Sequence, residues 1–329
     1  MESTLTPPAV CSSRCIQVWS HKVVPDLSGR RSRRLLLNMI PKAFDYCRPK
    51  TLPEAISLLQ QRGDAAKILS GGQSLIPMMK MRLAQPEYLI DINQIGGLDY
   101  IKEADGYLKI GALTREADLE ASDLIRSKYP LILDTAFSIA DPQVRNLATV
   151  GGNLAHGDPA NDHPATMLAL NAEVIATGPQ GQRIVPIKDF FVSLFTTALQ
   201  PNEILTEIRI PVPPARSGGA YFKLERKVGD FATVGVAAQV TVDAKATCLQ
   251  AGIGLTNVGG TPIKAEKAEE FLRGKALDDS NISVAASLAA DDAHPSSDLR
   301  GPADYKISMV RELTKRALTK ALNRASQER

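Results

Sequence analysis

The residues from Leu147 to Pro164 constrain this chain more than any other stretch: Leu-Ala-Thr-Val-Gly-Gly-Asn-Leu-Ala-His-Gly-Asp-Pro-Ala-Asn-Asp-His-Pro. Thr149 and Val150 end an apolar approach, and the pair Gly151-Gly152 comes next. Two residues without Cβ let consecutive backbone N–H groups turn together toward an anion. Asn153 and Asp162 add polar side chains. An ordinary turn accounts for the same residues, because Gly-Gly and Asp-Pro punctuate loops of every kind. The balance changes with a second stretch of the same design upstream, Ala66 to Leu75. There Ile68-Leu69 reads as a strand end, and Ser70, Gly71, Gly72, Gln73 and Ser74 supply amides together with hydroxyl and carboxamide side chains. The two loops read as a cradle for a diphosphate. Neither carries the Lys-Ser/Thr ending of a P-loop, so the expected ligand is a dinucleotide whose pyrophosphate is held mainly by backbone amides. Gly152 is expected to need a positive φ and close ligand approach, so that valine there removes the ligand and spares the fold.

A length of 329 residues suggests two or three domains, and 44% hydrophobic residues supply sizeable cores. The net charge of +3 is small and both signs are interspersed, which points away from nucleic acid and from a membrane surface. No apolar run approaches the length of a spanning helix. The four cysteines, Cys11, Cys15, Cys47 and Cys248, form neither a disulfide framework nor a set of four thiolates converging on an iron–sulfur cluster. A reducing cytoplasm fits that usage. His156 and His163 have no cysteine nearby and read as turn or ligand-contact residues, with no metal site expected.

Taken in order, residues 1–38 read as a disordered extension, or as sequence ahead of a natural start at Met39. Pro7-Pro8 and the basic run from Arg30 to Arg34 set them apart from the rest of the chain. Residues 39–92 read as a first α/β subdomain: a helix capped at Thr51 and stopped at Gly63, a strand through Leu69, and a core-packing segment with Met78, Met79, Met81 and Leu83. Residues 93–214 read as a second subdomain, opened by a hairpin around Asp105-Gly106, with a helix capped by Thr114, another begun at Pro130, and a linker at Pro211 to Pro214. Residues 215–329 read as a C-terminal α/β domain with three antiparallel strands and helices. Its first helix is expected to be capped at Thr261, begun at Pro262 and closed at Gly274. Gly252-Ile-Gly254 imitates half a dinucleotide fingerprint and reads instead as a strand end.

Four motifs in order carry a resemblance: Ser70 to Met78, Leu89 to Ile92, Gln143 to Asn153, and Tyr221 to Ala232. In these the chain resembles the FAD-binding medium subunit of the molybdenum hydroxylases, from about residue 39 to the C-terminal helix. The resemblance implies a two-subdomain FAD-binding domain of the PCMH/VAO-like type, α/β (α+β) in class, followed by the C-terminal domain. It implies FAD in this chain, held by Ser70, Gly71, Gly72, Gln73, Ser74 and Leu75 and by Thr149, Val150, Gly151, Gly152 and Asn153. Asp162 would reach the cofactor and Leu205 would pack near the adenine. Tyr221 would cover the flavin ring, and Lys223 would stabilise negative charge on it. Many relatives read Ala-Asp-Pro-Ala-Ala-Glu where this chain has Gly157-Asp-Pro-Ala-Asn-Asp162, so its carboxylate is one methylene shorter. The implied partners are a small [2Fe-2S] subunit and a large molybdopterin-binding subunit, in a dimer of heterotrimers. Two other readings of the residues stay open: a stand-alone FAD oxidoreductase, and a nucleotide-binding module without redox turnover.

Overall fold

A computed structural model describes residues 39–327, and the basic run at Arg30 to Arg34 lies outside them. The described chain divides into two units. The first holds the residues up to Gly97 with Thr177–Gly181 and Gln200–Ile204; the second holds Leu98–Ala176, Gln182–Leu199 and Leu205 onward.

The first unit is a small parallel sheet, β1 (Asp45–Cys47), β2 (Ala66–Leu69) and β3 (Tyr88–Asp91), in the order β1-β3-β2. Helix α1 (Leu52–Arg62) begins as its sequence dictates: the Thr51 hydroxyl accepts from the Glu54 amide, and the Glu54 carboxylate accepts from the Lys50 amide. Gly63 stops it with φ +51°, and Ala55, Ile56, Leu58 and Leu59 form its buried stripe. Helix α2 (Leu75–Lys80) succeeds the first glycine loop. Of the methionines expected here to pack in the core, Met79 does, whereas Met81 is 61% exposed; the neighbouring Leu83 is 70% exposed. The helix ends at Lys80, so the residues beyond it no longer share its buried face.

The second unit contains, apart from the strand ends at Thr177–Gly178, Gly181 and Ile204, a five-stranded sheet in the order β4-β5-β10-β6-β7, made of β4 (Ile101–Ala104), β5 (Tyr107–Gly111), β6 (Glu173–Gly178), β7 (Gly181–Pro186) and β10 (Ile204–Pro211). Asp105 and Gly106 both take positive φ, the signature of the two-residue hairpin turn between β4 and β5. Between β5 and β6 run α3 (Glu116–Ala121), α4 (Asp123–Lys128), α5 (Pro130–Ser138), α6 (Pro142–Arg145), α7 (Val150–Ala155) and α8 (Asp162–Ala169). The short strands β8 (Phe191–Ser193) and β9 (Thr196–Thr197) pair with each other. Helix α3 is not capped by Thr114, whose hydroxyl donates to the Tyr100 carbonyl; Asp118 instead accepts from the Arg115 amide.

The C-terminal sheet has four antiparallel strands rather than the expected three: β11 (Ser217–Leu224), β12 (Val234–Val242), β13 (Cys248–Thr256) and the short β14 (Ile263–Lys264). Because Ile263 and Lys264 pair with Leu255 and Gly254, the chain is still extended after Pro262. Helix α9 therefore starts at Glu266, not at Pro262, and runs to Leu272, with Gly274 just beyond at φ +77°. Helices α10 (Asp279–Asp291) and α11 (Ala303–Ser326) complete the chain.

One face of this sheet is Val234, Val236, Ala238 and Val240, buried against α9, α10 and α11 in a single apolar cluster. The opposite face is nearly bare. Cross-strand rows read Gly219, Gln239, Gly252, then Tyr221, Ala237, Gly254, then Lys223, Gly235, Thr256. A Cβ on Gly252 would lie 1.9 Å from the Ala169 carbonyl oxygen, and one on Gly254 would lie 2.0 Å from that of Ala165. Gly252-Ile-Gly254 is thus the interior of a strand, not its end, and its glycines let α8 lie directly on the sheet. This contact joins the residues on either side of Pro211 to Pro214 into one compact unit. The edge strand β11 is covered by α5 and α11: Asp134 accepts from the Tyr221 amide and takes a two-pronged contact from Arg324 at 2.7 and 3.0 Å.

Candidate functional site: a loop of open amides and a buried carboxylate

In the first unit, β2 delivers the chain to Ser70, and Gly72 turns it with φ +74° into α2. A Cβ at Gly72 would lie 2.8 Å from Cδ1 of Ile76 and 3.1 Å from Cδ1 of Leu69, side-chain ends that can move aside, so it is the positive φ that calls for glycine here. Among the described residues, the amides of Gly71, Gly72, Gln73 and Ser74 meet no acceptor. Ser74 precedes α2 without a side-chain cap, and Leu75 packs toward Leu69, Met79 and Leu89. The loop is fixed from behind by Asn93, which sequence reasoning missed: its carboxamide donates to the Ser70 carbonyl at 2.5 Å and to Asp91 at 2.7 Å. Four successive donors with no partner among the described residues are what an anion needs.

The second glycine pair is built differently. Thr149 caps α7, its hydroxyl accepting from the Gly152 amide at 3.1 Å, so Val150, Gly151, Gly152 and Asn153 lie in the first turns of a helix rather than in a loop. Gly152 takes helical backbone, and the positive φ expected of it belongs to Gly72 and Gly157. The amides of Val150, Gly151 and Asn153 donate to Thr114, Ala112 and Thr149 carbonyls. Gly151 is bare for a packing reason: its Cβ would stand 2.6 Å from both Cβ and the carbonyl oxygen of Ala112. What this segment leaves for a ligand is a side chain, because Oδ1 of Asn153 is buried with no partner. The Asn153 carbonyl accepts from Asn161, and the Asn161 carbonyl accepts from Thr256, so α7, the start of α8 and β13 are tied together.

Asp162 opens α8, where the helix N-terminus favours a carboxylate. Tyr221 and Lys223, two apart on β11, project to the same side of the sheet and both reach it. The Tyr221 hydroxyl donates to one carboxylate oxygen at 2.6 Å, and the Lys223 ammonium donates to the other at 3.0 Å and to the Ser138 carbonyl at 2.8 Å. The side chains of Lys223 and Asp162 are 5% and 8% exposed. Burial pushes the Asp162 carboxyl up, opposed by Lys223 and Tyr221; burial and the Asp162 charge push the Tyr221 phenol well above its usual range. Glu225 lies 3.5 Å from the same ammonium. Leu205 is buried on β10 in the core formed with Leu108, Ile110 and Ile208. His163, next to Asp162, is fully buried against Glu116 at 2.7 Å; His156 lies against the Phe195 ring. Neither histidine belongs to a cluster of His, Cys, Asp and Glu side chains among the described residues.

Each unit taken by itself offers a feature that fits part of a flavin dinucleotide: in the first, open amides suit a pyrophosphate, and in the second, a buried acceptor without a partner among the described residues suits a ligand hydroxyl. Among the described residues, no helix is long and apolar enough to cross a membrane. The family model described as FAD binding domain in molybdopterin dehydrogenase matches residues 42–213. That described as CO dehydrogenase flavoprotein C-terminal domain matches residues 219–321. The carbon monoxide dehydrogenase medium chain of Afipia carboxidovorans is 47% identical over 87% of this chain and 99% of its own length. The glyceraldehyde dehydrogenase medium chain of Sulfolobus acidocaldarius is 37% identical over 85% of this chain and 98% of its own. Among solved structures, a cyanide-inactivated Cu,Mo-CO dehydrogenase chain superposes with a TM-score of 0.85 at 47% identity, covering 87% of this chain and 100% of that one. A chain of quinoline 2-oxidoreductase from Pseudomonas putida 86 gives 0.82 at 32% identity, with 88% and 100% covered. The mixed α/β architecture is thus shared, and the chain belongs to the FAD-binding medium subunits of the molybdenum hydroxylases, the family of carbon monoxide and xanthine dehydrogenase oxidoreductases.

Proposed function

We propose that this chain is the electron-transfer subunit of a heteromeric molybdenum hydroxylase. It would take electrons from [2Fe-2S] clusters on a small partner subunit and pass them to an external acceptor, while substrate is oxidised at the molybdopterin centre of a large one. A dimer of such heterotrimers is the assembly this reading implies. When bound, FAD supplies the redox chemistry, and the protein holds it, tunes it and controls access to it.

The observation that carries the reading is the buried group of Asp162, Tyr221 and Lys223. Buried charged groups with raised carboxyl pKa values concentrate at functional sites, and Asp162 supports the reading in that way. Tyr221 is 4% exposed and its hydroxyl is committed to Asp162. Its proposed role is therefore to hold that carboxylate together with Lys223, which also places a positive charge beside the flavin. In the first unit, the amides of Gly71 to Ser74 bind the pyrophosphate. In the second, Asn153 accepts from a ligand hydroxyl, and Thr149, Val150, Gly151 and Gly152 build the helix that presents it. Leu205 supports the adenine end from the core.

Acid precipitation of the purified yellow protein is expected to release FAD quantitatively, since the motifs that carry the resemblance place no His or Cys for flavin attachment. Release of FMN, or retention of the flavin in the pellet, contradicts the assignment. From its natural host the chain is expected to co-purify with iron–sulfur and molybdenum subunits; purification alone contradicts the electron-transfer role.

A further inference from the structure

We propose that Gly235 is a positioning residue for the flavin site, bare so that the Tyr221 hydroxyl can cross the middle strand of the C-terminal sheet and reach Asp162. This rests on the assignment of Asp162 and Tyr221 to the flavin site. Gly235 lies on β12, directly opposite Lys223 on one neighbour and Thr256 on the other. Tyr221 is paired one row away, opposite Ala237, so its ring lies diagonally across the row that Gly235 occupies. A Cβ built on Gly235 would stand 2.3 Å from the Tyr221 hydroxyl oxygen and 3.1 Å from Cζ of the same ring, with Cβ of Thr256 also at 3.1 Å.

The hydroxyl is tethered where it lies. It sits at 2.6 Å from Asp162, its strand is pinned through the Tyr221 amide to Asp134, and Ala237 and the α8 residue Ala165 pack beside the ring. The backbone of Gly235 gives no independent reason for glycine, because its φ is not in the left-handed region. Among residues on this face, glycines at 252 and 254 make room for helix carbonyls, whereas those at 219 and 235 make room for the ends of polar side chains, Gln239 and Tyr221 respectively, and of these two only Tyr221 reaches Asp162. The specific consequence is that its requirement should vanish once that hydroxyl is removed. Tyr221→Phe deletes the 2.3 Å contact and leaves the two at 3.1 Å, which a few tenths of an ångström of movement relieve.

The test is a double-mutant cycle of Gly235→Ala and Tyr221→Phe, read by the FAD dissociation constant of the apoprotein and by its melting temperature. Alone, Gly235→Ala is expected to weaken FAD binding about tenfold or more, which corresponds to about 1.4 kcal/mol. In the Tyr221→Phe background the same substitution is expected to change FAD affinity by no more than about twofold, and the melting loss should shrink in parallel. The double variant also keeps the test open if Gly235→Ala alone fails to fold. Equal losses in both backgrounds would overturn the proposal, since they would mean that alanine at 235 clashes with something other than the hydroxyl. Non-additive melting with unchanged FAD affinity in all variants would overturn the flavin assignment of Tyr221 instead.

Discussion

Gly72→Val is expected to empty the protein of flavin. The residue holds φ at +74°, a region closed to β-branched side chains, and its Cβ would press on Ile76 and Leu69 at 2.8 and 3.1 Å. Relief of the strained φ requires the loop to change course, and that displaces the amides of Gly71, Gln73 and Ser74. Backbone strain of this kind costs about 1–3 kcal/mol, and losing several donors to one pyrophosphate adds to it. The combined effect is a fall in FAD affinity of at least about two orders of magnitude, or roughly 2.7 kcal/mol. Because the substitution sits on a loop and spares the buried stripe of α1, circular dichroism should remain near that of the parent. Gly151→Val behaves in the opposite way. Its side chain would meet Ala112 in the core of the other unit, so the protein should lose stability first and flavin as a result. Flavin-to-protein ratio plotted against the ellipticity of each variant separates the two. Full flavin occupancy in Gly72→Val would place the pyrophosphate elsewhere.

Asp162→Ala is expected to be strongly destabilising in the second unit. It leaves the buried Lys223 ammonium with the Ser138 carbonyl and a carboxylate of Glu225 at 3.5 Å, and it strips the Tyr221 hydroxyl of its acceptor. Removing one partner of a buried pair costs about 3–5 kcal/mol. Pairing Asp162→Ala with Lys223→Met should recover much of that, because no charge is then stranded. Denaturant midpoints of the apoproteins measure both. A loss below about 1 kcal/mol, the range of exposed pairs, would mean that water reaches the group.

Much of the fold was legible in the sequence where local chemistry alone decides the structure. Thr51 with Glu54, the Asp105-Gly106 turn, Pro130 at a helix start and the alternating Val234 to Val242 all took the forms their residues specify. Misreadings arose where a distant contact decides. Gly151-Gly152 looks like Gly71-Gly72, yet Thr149 caps a helix there, and the reason for the first glycine lies in Ala112. Thr261-Pro262 has the form of a helix start, but cross-strand pairing of Ile263 keeps the chain extended. Met81 and Leu83 continue an apolar run past the end of its helix and so face solvent.

In the site, Asp162, Tyr221 and Lys223 are brought together from α8 and β11. Asn161 and Thr256, which tie the start of that helix to its neighbours, and Asn93, which holds the glycine loop of the first unit, went unnoticed because each acts through a tertiary side-chain contact that leaves no local pattern. One signal did exist. Small residues recur with a period of two at Gly235 and Ala237 and at Gly252 and Gly254, which marks a sheet face approached closely by another backbone.

The central claim is that this chain handles electrons while substrate is oxidised on another subunit. Rapid mixing of the assembled complex, with molybdenum reduction by substrate and flavin re-oxidation by acceptor followed separately by absorbance, tests it most directly. With Tyr221→Ala or Lys223→Ala, flavin re-oxidation is expected to change while molybdenum reduction stays near the parent rate, because the two steps occur at separate cofactors. Molybdenum reduction slowed as much as flavin re-oxidation would mean that this chain contributes to the substrate site, and would contradict the division of labour proposed here.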